Sequence, residues 1–271
     1  MRSIRLFAGL IGTIFFLAPL SPSAGRAAGA QLKQEQPSIP VDEIIRKFAE
    51  KEKNFQVARE SYTYRQDVRV QELDSRGNVQ GEYHEVTDIL FDEKGKRVEK
   101  TVLAPPSTLR RISMTMQDLE DIRSIQPFVL TTDDIRKYDL KYKGRERIDE
   151  IGCYVFDVSP KKIEKNQRYF EGTIWVDDLD LQIVKTFGKA VPDIRGGSKE
   201  NLFPRFETYR EQFDDYWFPT FTRADDTLNF SNGPVRIRQT IRYQNYKQFS
   251  STVKIIPGGV VDDKSPENPP K

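Results

Sequence analysis

Long runs in which apolar and polar residues alternate constrain the fold of this chain more than any other feature. One run carries its apolar residues at Tyr62, Tyr64, Val68 and Val70. The same pattern returns near the C-terminal end, where the apolar positions are Val235, Ile237, Ile241 and Tyr243. Because successive side chains of a β-strand point to opposite faces, these runs predict antiparallel strands with one buried and one solvated face.

Turn signals divide much of the remaining chain into further strands. Clusters rich in Asp, Asn and Gly stand at 74–78, 92–96, 149–152 and 231–234, and such residues favour turns through local hydrogen bonds and tolerance of positive φ. The predicted strands are 62–70, 79–91, 97–103, 140–148, 153–159, 168–176, 182–189, 203–213, 217–226 and 235–249. The predicted fold is therefore mainly β (α+β), a half-open antiparallel barrel or a strongly curved sheet of about ten strands.

Three segments have helical rather than strand periodicity. Residues 41–52 place their apolar residues on one stripe, with Ser38 as a candidate cap, and residues 116–125 repeat apolar positions at helical spacing after Thr115, a second candidate cap. A short helical turn is predicted at 132–138. We expect the first two segments to pack over one face of the sheet as a lid.

The N-terminal 30 residues have the layout of a secretory signal peptide. Arg2 and Arg5 precede an apolar stretch of about 15 residues, which is short for a membrane span, and small residues follow at 28–30. We predict a signal peptide at 1–30, a polar leader at 31–40, one β domain at 41–250 and a disordered tail at 251–271. The mature protein is expected to be exported, periplasmic and soluble.

Charge and cysteine content restrict the partners. Cleavage would remove three of the 43 basic residues and none of the 41 acidic ones, so the formal net charge falls from +2 to −1. A neutral exported protein is not expected to bind nucleic acid, and the cationic stripe of Arg236, Arg238, Arg242 and Lys247 is interpreted as a solvated sheet face. Cys153 is interpreted as a buried core residue, and a monomer without internal disulfides is predicted.

The sequence offers little catalytic chemistry. His84 is the one histidine, and it is interpreted as an exposed strand residue without a nucleophile beside it. One histidine and one cysteine cannot supply the usual zinc ligands. The aspartate doublets at 133–134, 177–178, 214–215 and 225–226 fall mostly at turns, where aspartate has a structural role. We therefore predict no enzyme activity, no metal and no cofactor; a carboxylate hydrolase is the third-ranked alternative.

Aromatic residues are abundant, with 17 Phe, 11 Tyr and 2 Trp. For any single one, an ordinary sheet core is the simpler interpretation. Together they permit a large apolar interior, and a curved sheet that does not close can leave a lipid-sized cavity there.

The run Tyr-Phe-Glu-Gly-Thr-Ile-Trp-Val-Asp at 169–177, followed by Leu-Gln-Ile-Val-Lys at 181–185, resembles the Trp-containing hairpin of outer-membrane lipoprotein-sorting proteins. The run at 206–220 resembles a second hairpin of bacterial members. The resemblance implies a half-open antiparallel barrel closed by helices, with an apolar cavity for acyl chains. The polar residue that closes the lid in such carriers is not assigned here.

The first hypothesis is therefore periplasmic carriage of a lipid or the acyl chains of a lipoprotein, with membrane donor and acceptor proteins as further partners. The alternative is an envelope protein-interaction or stress-sensing module that does not transfer lipid. Either the even or the odd positions of 169–177 face the cavity. The candidate lining residues are Tyr62, Tyr64, Val68, Phe170, Ile174, Trp175, Val176, Phe218, Ile237 and Ile241.

Overall fold

The computed structural model describes residues 32–92, 96–192 and 203–248. Ten strands and two α-helices, α1 (Val41–Ala58) and α2 (Met116–Glu120), lie within these ranges. The strands are β1 (Tyr62–Leu73), β2 (Val79–Phe91), β3 (Arg97–Leu103), β4 (Tyr138–Ile148), β5 (Ile151–Pro160), β6 (Tyr169–Asp177), β7 (Ile183–Val191), β8 (Phe206–Phe213), β9 (Tyr216–Phe230) and β10 (Gly233–Gln248). The predicted signal peptide and tail lie outside the described residues.

All ten strands form one antiparallel sheet in the order β3-β2-β1-β10-β9-β8-β7-β6-β5-β4. Sequential hairpins account for every neighbour except β1 and β10, which pair with Val68 opposite Ile241. The two ends of the sheet, β3 and β4, do not pair with each other in the described ranges, so the barrel is half-open. This confirms the predicted fold class.

The alternation of β1 and β10 places their apolar residues on one face, as predicted. Val68, Val70, Ile237 and Ile241 are at most 5% exposed. Arg236 and its even-numbered neighbours lie on the other face of β10 and are exposed. The inner face is the one on which the helices pack.

Helix α1 shows that the sheet is curved. The Phe48 ring lies 5.9 Å from that of Phe156 in β5, and the Phe55 ring lies 5.1 Å from that of Phe218 in β9. These two helical positions are about 10 Å apart along the axis, whereas β5 and β9 would be about 19 Å apart in a flat sheet. Side chains bridge part of this difference and curvature of the sheet brings both strands towards the helix, which lies on the concave face.

Helix α2 begins at the predicted cap. The Thr115 hydroxyl accepts from the Asp118 amide, and the Asp118 carboxylate accepts from the Thr115 amide, which is a capping box. A single π-helical turn, Asp121–Ile125, continues the helix. Ile122 on this turn packs with Val68, Val70 and Ile241 of β1 and β10. The predicted helical turn at 132–138 is a short 3₁₀ helix, Ile135–Lys137.

The leader is attached to the edge strand β4. Lys33 and Arg145 exchange two backbone hydrogen bonds of 2.8 Å. Gly144 has a φ of +137°, and a side chain there would collide with the Lys33 carbonyl. Ser38 does not cap α1 as predicted; its hydroxyl hydrogen-bonds the Tyr154 hydroxyl at 2.8 Å, and Pro40 takes the cap position. Across the described ranges, no helix is both long and apolar enough to cross a membrane.

Candidate functional site

Much of the concave face is filled by α1. Ile44, Phe48 and Ala49 of the helix pack in one cluster with the strand residues of β4 to β7. Phe170, Ile174 and Val176, three of the candidate lining residues, belong to this cluster and are fully buried. The even positions of β6 thus face inward, but here they contact the helix and the segment 125–130 rather than an open cavity.

Trp175 lies on the opposite face of the sheet from Ile174. It packs against Cys153, Val184 and Trp217. Its indole N–H donates to Glu146 at 2.8 Å, and Lys185 Nζ lies 4.9 Å from its ring centroid. Trp175 therefore does not line the concave interior, because the period-two alternation of the strand turns it outward.

The other candidates fall into two neighbouring clusters. Tyr62 and Phe218 pack around Phe55 at the end of α1. Tyr64, Val68 and Ile241 belong to the cluster beneath Ile122. Most of the candidate residues are therefore core residues that contact other side chains.

A buried ion pair joins α1 to the sheet. Arg210 of β8 lies 3.0 Å from Glu52, and both side chains are at most 1% exposed. Glu52 also accepts from the Ile183 amide at 3.1 Å, and Arg210 donates to the Phe128 carbonyl. This pair was not predicted from the sequence, although Glu52 lies four residues after Phe48 on the apolar stripe of α1, where a charge needs a buried partner.

A cavity of about 400 Å³ remains at the other end of the concave face. It lies between the sheet and residues 110–126, which we call the cover segment. This volume falls within the range of small-molecule sites. Ile237 is the one candidate residue among those that line it. The apolar lining is Val70, Ile112, Met114, Ile122, Ala190, Phe203, Pro204, Phe206, Leu228, Phe230 and Ile237.

Polar groups of the cavity wall are paired with one another. Arg168 donates to both carboxylate oxygens of Asp121, at 3.0 and 2.6 Å. Burial raises the pKa of Asp121 despite this partner. Gln239 donates to the Gln126 side chain at 2.8 Å. These contacts fix the π-helical end of the cover segment against β6 and β10.

The other end of the cover segment is fixed by a single carboxylate. Glu72 of β1 is 3% exposed. It accepts from the backbone amides of Arg110, Arg111 and Ile112, at 3.0, 2.7 and 2.9 Å. The carboxylate thereby supplies the hydrogen bonds that these three amides need where the segment crosses the sheet. The alternation of β1 marks Glu72 as an acid at an inward position, which is the sequence signal for this anchor.

The potential catalytic groups have structural surroundings. Cys153 is fully buried, and burial raises its pKa to about 12. His84 is partly buried rather than exposed as expected, because its Nε2 lies 3.1 Å from Asp67 at the β1–β2 pairing. Within the described residues, no group of three or more His, Cys, Asp or Glu side chains is placed to hold a metal ion.

The aspartate doublets and the cationic stripe are also accounted for. Lys53 pairs with Asp133 at 2.7 Å, and Asp177 accepts from two amides of its own turn. Asp225 lies 3.3 Å from Arg236 and 3.6 Å from Arg238. The contacts of Asp133 and Asp225 agree with a solvated turn and a paired sheet face, whereas Asp177 is 6% exposed and is buried at the end of β6 rather than solvated as expected.

Several solved structures are similar to this chain. A DUF1329 family protein from Desulfovibrio piger is 17% identical, with a TM-score of 0.44, over 80% of this chain and 96% of that one. A LolA superfamily protein from Nitrosomonas europaea is 13% identical, with a TM-score of 0.33, over 77% of this chain and 93% of that one. A domain from Vibrio parahaemolyticus, described as a putative outer-membrane lipoprotein-sorting protein domain, is 12% identical, with a TM-score of 0.33, over 75% of this chain and 93% of that one. No family model and no curated protein sequence matches the chain.

Proposed function

We propose that this protein binds the acyl chain of a lipid or acylated protein in the cavity beneath the cover segment and carries it through the periplasm. The observation that supports the proposal is the largely apolar cavity of about 400 Å³ on the concave face, much of which α1 fills. Burial of a methylene group contributes about 0.8 kcal/mol. Each methylene added to a ligand should therefore tighten binding about fourfold until the cavity is full.

The cover segment suits a carrier because its polar contacts to the sheet are concentrated at its two ends. Glu72 anchors one end and the Asp121–Arg168 pair anchors the other. The residues between them include exposed positions at Ser113 and Thr115. Displacement of its first part, residues 110–119, would expose the apolar floor and leave Ile125 packed in the same cluster as α1, so loading and release need not unfold the core.

The test is binding of a fluorescent fatty-acyl probe to the full chain, together with mass spectrometry of organic extracts of the purified protein. Val70→Phe places a larger side chain in the cavity and reduces its volume, so it should weaken saturable probe binding at least tenfold. Val98→Phe is the matched control, because Val98 lies on the exposed edge strand β3, away from the cavity. A retained sheet spectrum shows that each variant folds.

Two results would count against the proposal. If the wild-type protein shows no saturable probe binding and carries no lipid, acyl-chain carriage is wrong. If Val70→Phe binds the probe as well as the wild type does, the ligand does not occupy this cavity.

The second candidate function is protein binding at the edge strand β3. The leader pairs with the β4 edge at Lys33, whereas β3 has no strand on its outer side in the described ranges, and Val98, Val102 and Leu103 are 42 to 47% exposed. An exposed strand edge can accept an extended peptide. A photo-crosslinker at Lys100 should then give a defined adduct in envelope fractions, and Val98→Lys with Val102→Lys should abolish it. No adduct would leave this candidate without support.

A further inference from the structure

Two arginines stand at the mouth of the cavity. Arg110 and Arg111 line it from the cover segment, and both are exposed. Their backbone amides bond Glu72, but neither guanidinium forms a hydrogen bond or ion pair with a side chain in the described parts of the protein. The Arg111 guanidinium lies beside Gly233 at the β9–β10 turn, 3.8 Å from the position a Cβ would occupy there. The mouth therefore presents two unneutralised cations.

The acids around the cavity are already engaged. Asp118 accepts from the amide and the hydroxyl of Thr115, at 2.7 and 2.5 Å. Asp121 is bonded to Arg168, and Glu72 is held by three backbone amides. Asp121 and Glu72 are buried, and Asp118 bonds within its own helix cap. Among the described residues that line the cavity, Arg110 and Arg111 are the charged side chains without such a partner.

From this arrangement we infer that the occupant of the cavity is a single-chain amphiphile with an anionic head, carboxylate or phosphate, which Arg110 and Arg111 bind while the tail lies on the apolar floor. The inference rests on the proposed function and adds the head-group chemistry to it. A guanidinium presents a planar fork of donors that matches carboxylate and phosphate oxygens. The apolar floor favours a lipid over an acidic peptide, whose backbone would lose its hydrogen bonds to water there.

The experiment compares tetradecanoic acid with tetradecanol, which has the same chain and an uncharged head, by displacement of a neutral fluorescent probe at pH 8. The acid should bind the wild-type protein about tenfold more tightly than the alcohol, as expected for hydrogen bonds to a charged group. Raising the salt concentration should reduce this ratio, because the arginines are exposed. Inorganic phosphate alone should not displace the probe at equal concentration, since it has no tail.

The variant Arg110→Gln with Arg111→Gln should bring the ratio of acid to alcohol to about one, because the acid loses its charged partners. Lysines at both positions should restore part of the preference. Arg136→Gln is the matched control, because Arg136 is exposed on the 3₁₀ helix and does not line the cavity. It should keep the wild-type ratio.

The outcomes separate the two proposals. Equal binding of acid and alcohol to the wild-type protein, or an unchanged ratio in the double variant, overturns the inference and leaves acyl-chain binding in place. Displacement by inorganic phosphate or by an acidic peptide as strong as by tetradecanoic acid also overturns it. Binding of neither amphiphile contradicts the proposed function itself.

Discussion

At the scale of single residues, the Glu52–Arg210 pair is the strongest polar constraint on the helix. Two charges that are at most 1% exposed lie 3.0 Å apart beneath α1, and each has a further backbone partner. A buried ion pair adds little net stability compared with an apolar pair, but the loss of one partner strands the other charge in the core. The pair therefore specifies the position in which α1 packs against β7 and β8.

Arg210→Met should lower the free energy of unfolding by about 3–5 kcal/mol, because Glu52 would remain buried without its partner. Adding Glu52→Leu should recover part of that loss. Recovery should be incomplete, since the Ile183 amide and the Phe128 carbonyl would lose their partners. Urea unfolding followed by circular dichroism measures these changes.

Arg46→Met is the control for this comparison. Arg46 pairs with Glu50 at 2.8 Å, but both side chains are more than half exposed. Exposed pairs contribute about 0–1 kcal/mol, so the variant should stay close to the wild type. A loss below about 1 kcal/mol for Arg210→Met would contradict the role assigned to the buried pair.

At the scale of elements, the cover segment and α1 are held differently. α1 contributes large side chains to the core, among them Phe48 and Phe55. The cover segment contributes Ile122 and Ile125 at its π-helical end, while its other end depends on the Glu72 carboxylate. Local opening needs little free energy where few apolar contacts are broken. The cover segment is thus the element we expect to move first.

Glu72→Ala should loosen the cover segment without unfolding the sheet. The amides of residues 110–112 should exchange with deuterium at least about tenfold faster, because they lose charge-assisted hydrogen bonds. Glu211→Ala is the control, since Glu211 is exposed on β8 and lies outside the cavity. Unchanged exchange at 110–112 in Glu72→Ala would show that Glu72 is not the anchor.

At the scale of the whole molecule, packing on both faces of the sheet buries protonated groups that must stay neutral. Burial raises the pKa of Cys153 and of Tyr138 to about 12. In the unfolded chain their pKa values are about 8.5 and 10. Above those values the unfolded state loses its protons while the native state keeps them, so the free energy of unfolding falls as pH rises. The stabilisation is complete below the unfolded values and is lost as pH approaches 12.

The urea midpoint should therefore decrease between pH 8 and pH 11. The Cys153 thiol alone contributes up to about 1.4 kcal/mol per pH unit above its unfolded pKa. In Cys153→Ala, the urea midpoint should decrease less steeply between pH 8.5 and 10 than in the wild type. This difference in slope is expected whether or not the variant is less stable than the wild type at pH 8. An equal slope in both proteins would mean that the thiol is not buried in the native state.

The sequence alone determined the strands and the class of fold, because alternation and turn chemistry are local properties of the chain. Tyr62 to Val70 and Val235 to Tyr243 could be placed on an inner face from spacing alone, and Thr115 could be identified as a helix cap. Cys153 was correctly interpreted as core, since it lies in an apolar run.

The tertiary structure decided which inward residues meet a cavity and which meet a helix. Ile174 and Ile237 have the same kind of side chain at inward positions, yet α1 covers the first and the cavity adjoins the second. The face on which Trp175 lies also depended on which alternate positions of β6 point inward, and only the structure showed this. Two polar contacts join residues far apart in sequence, namely the Glu52–Arg210 ion pair and the hydrogen bonds from the amides of 110–112 to Glu72. No local pattern predicts either contact. These contacts depend on how far the sheet curves and where the connecting segments cross it, which only packing of the whole chain sets.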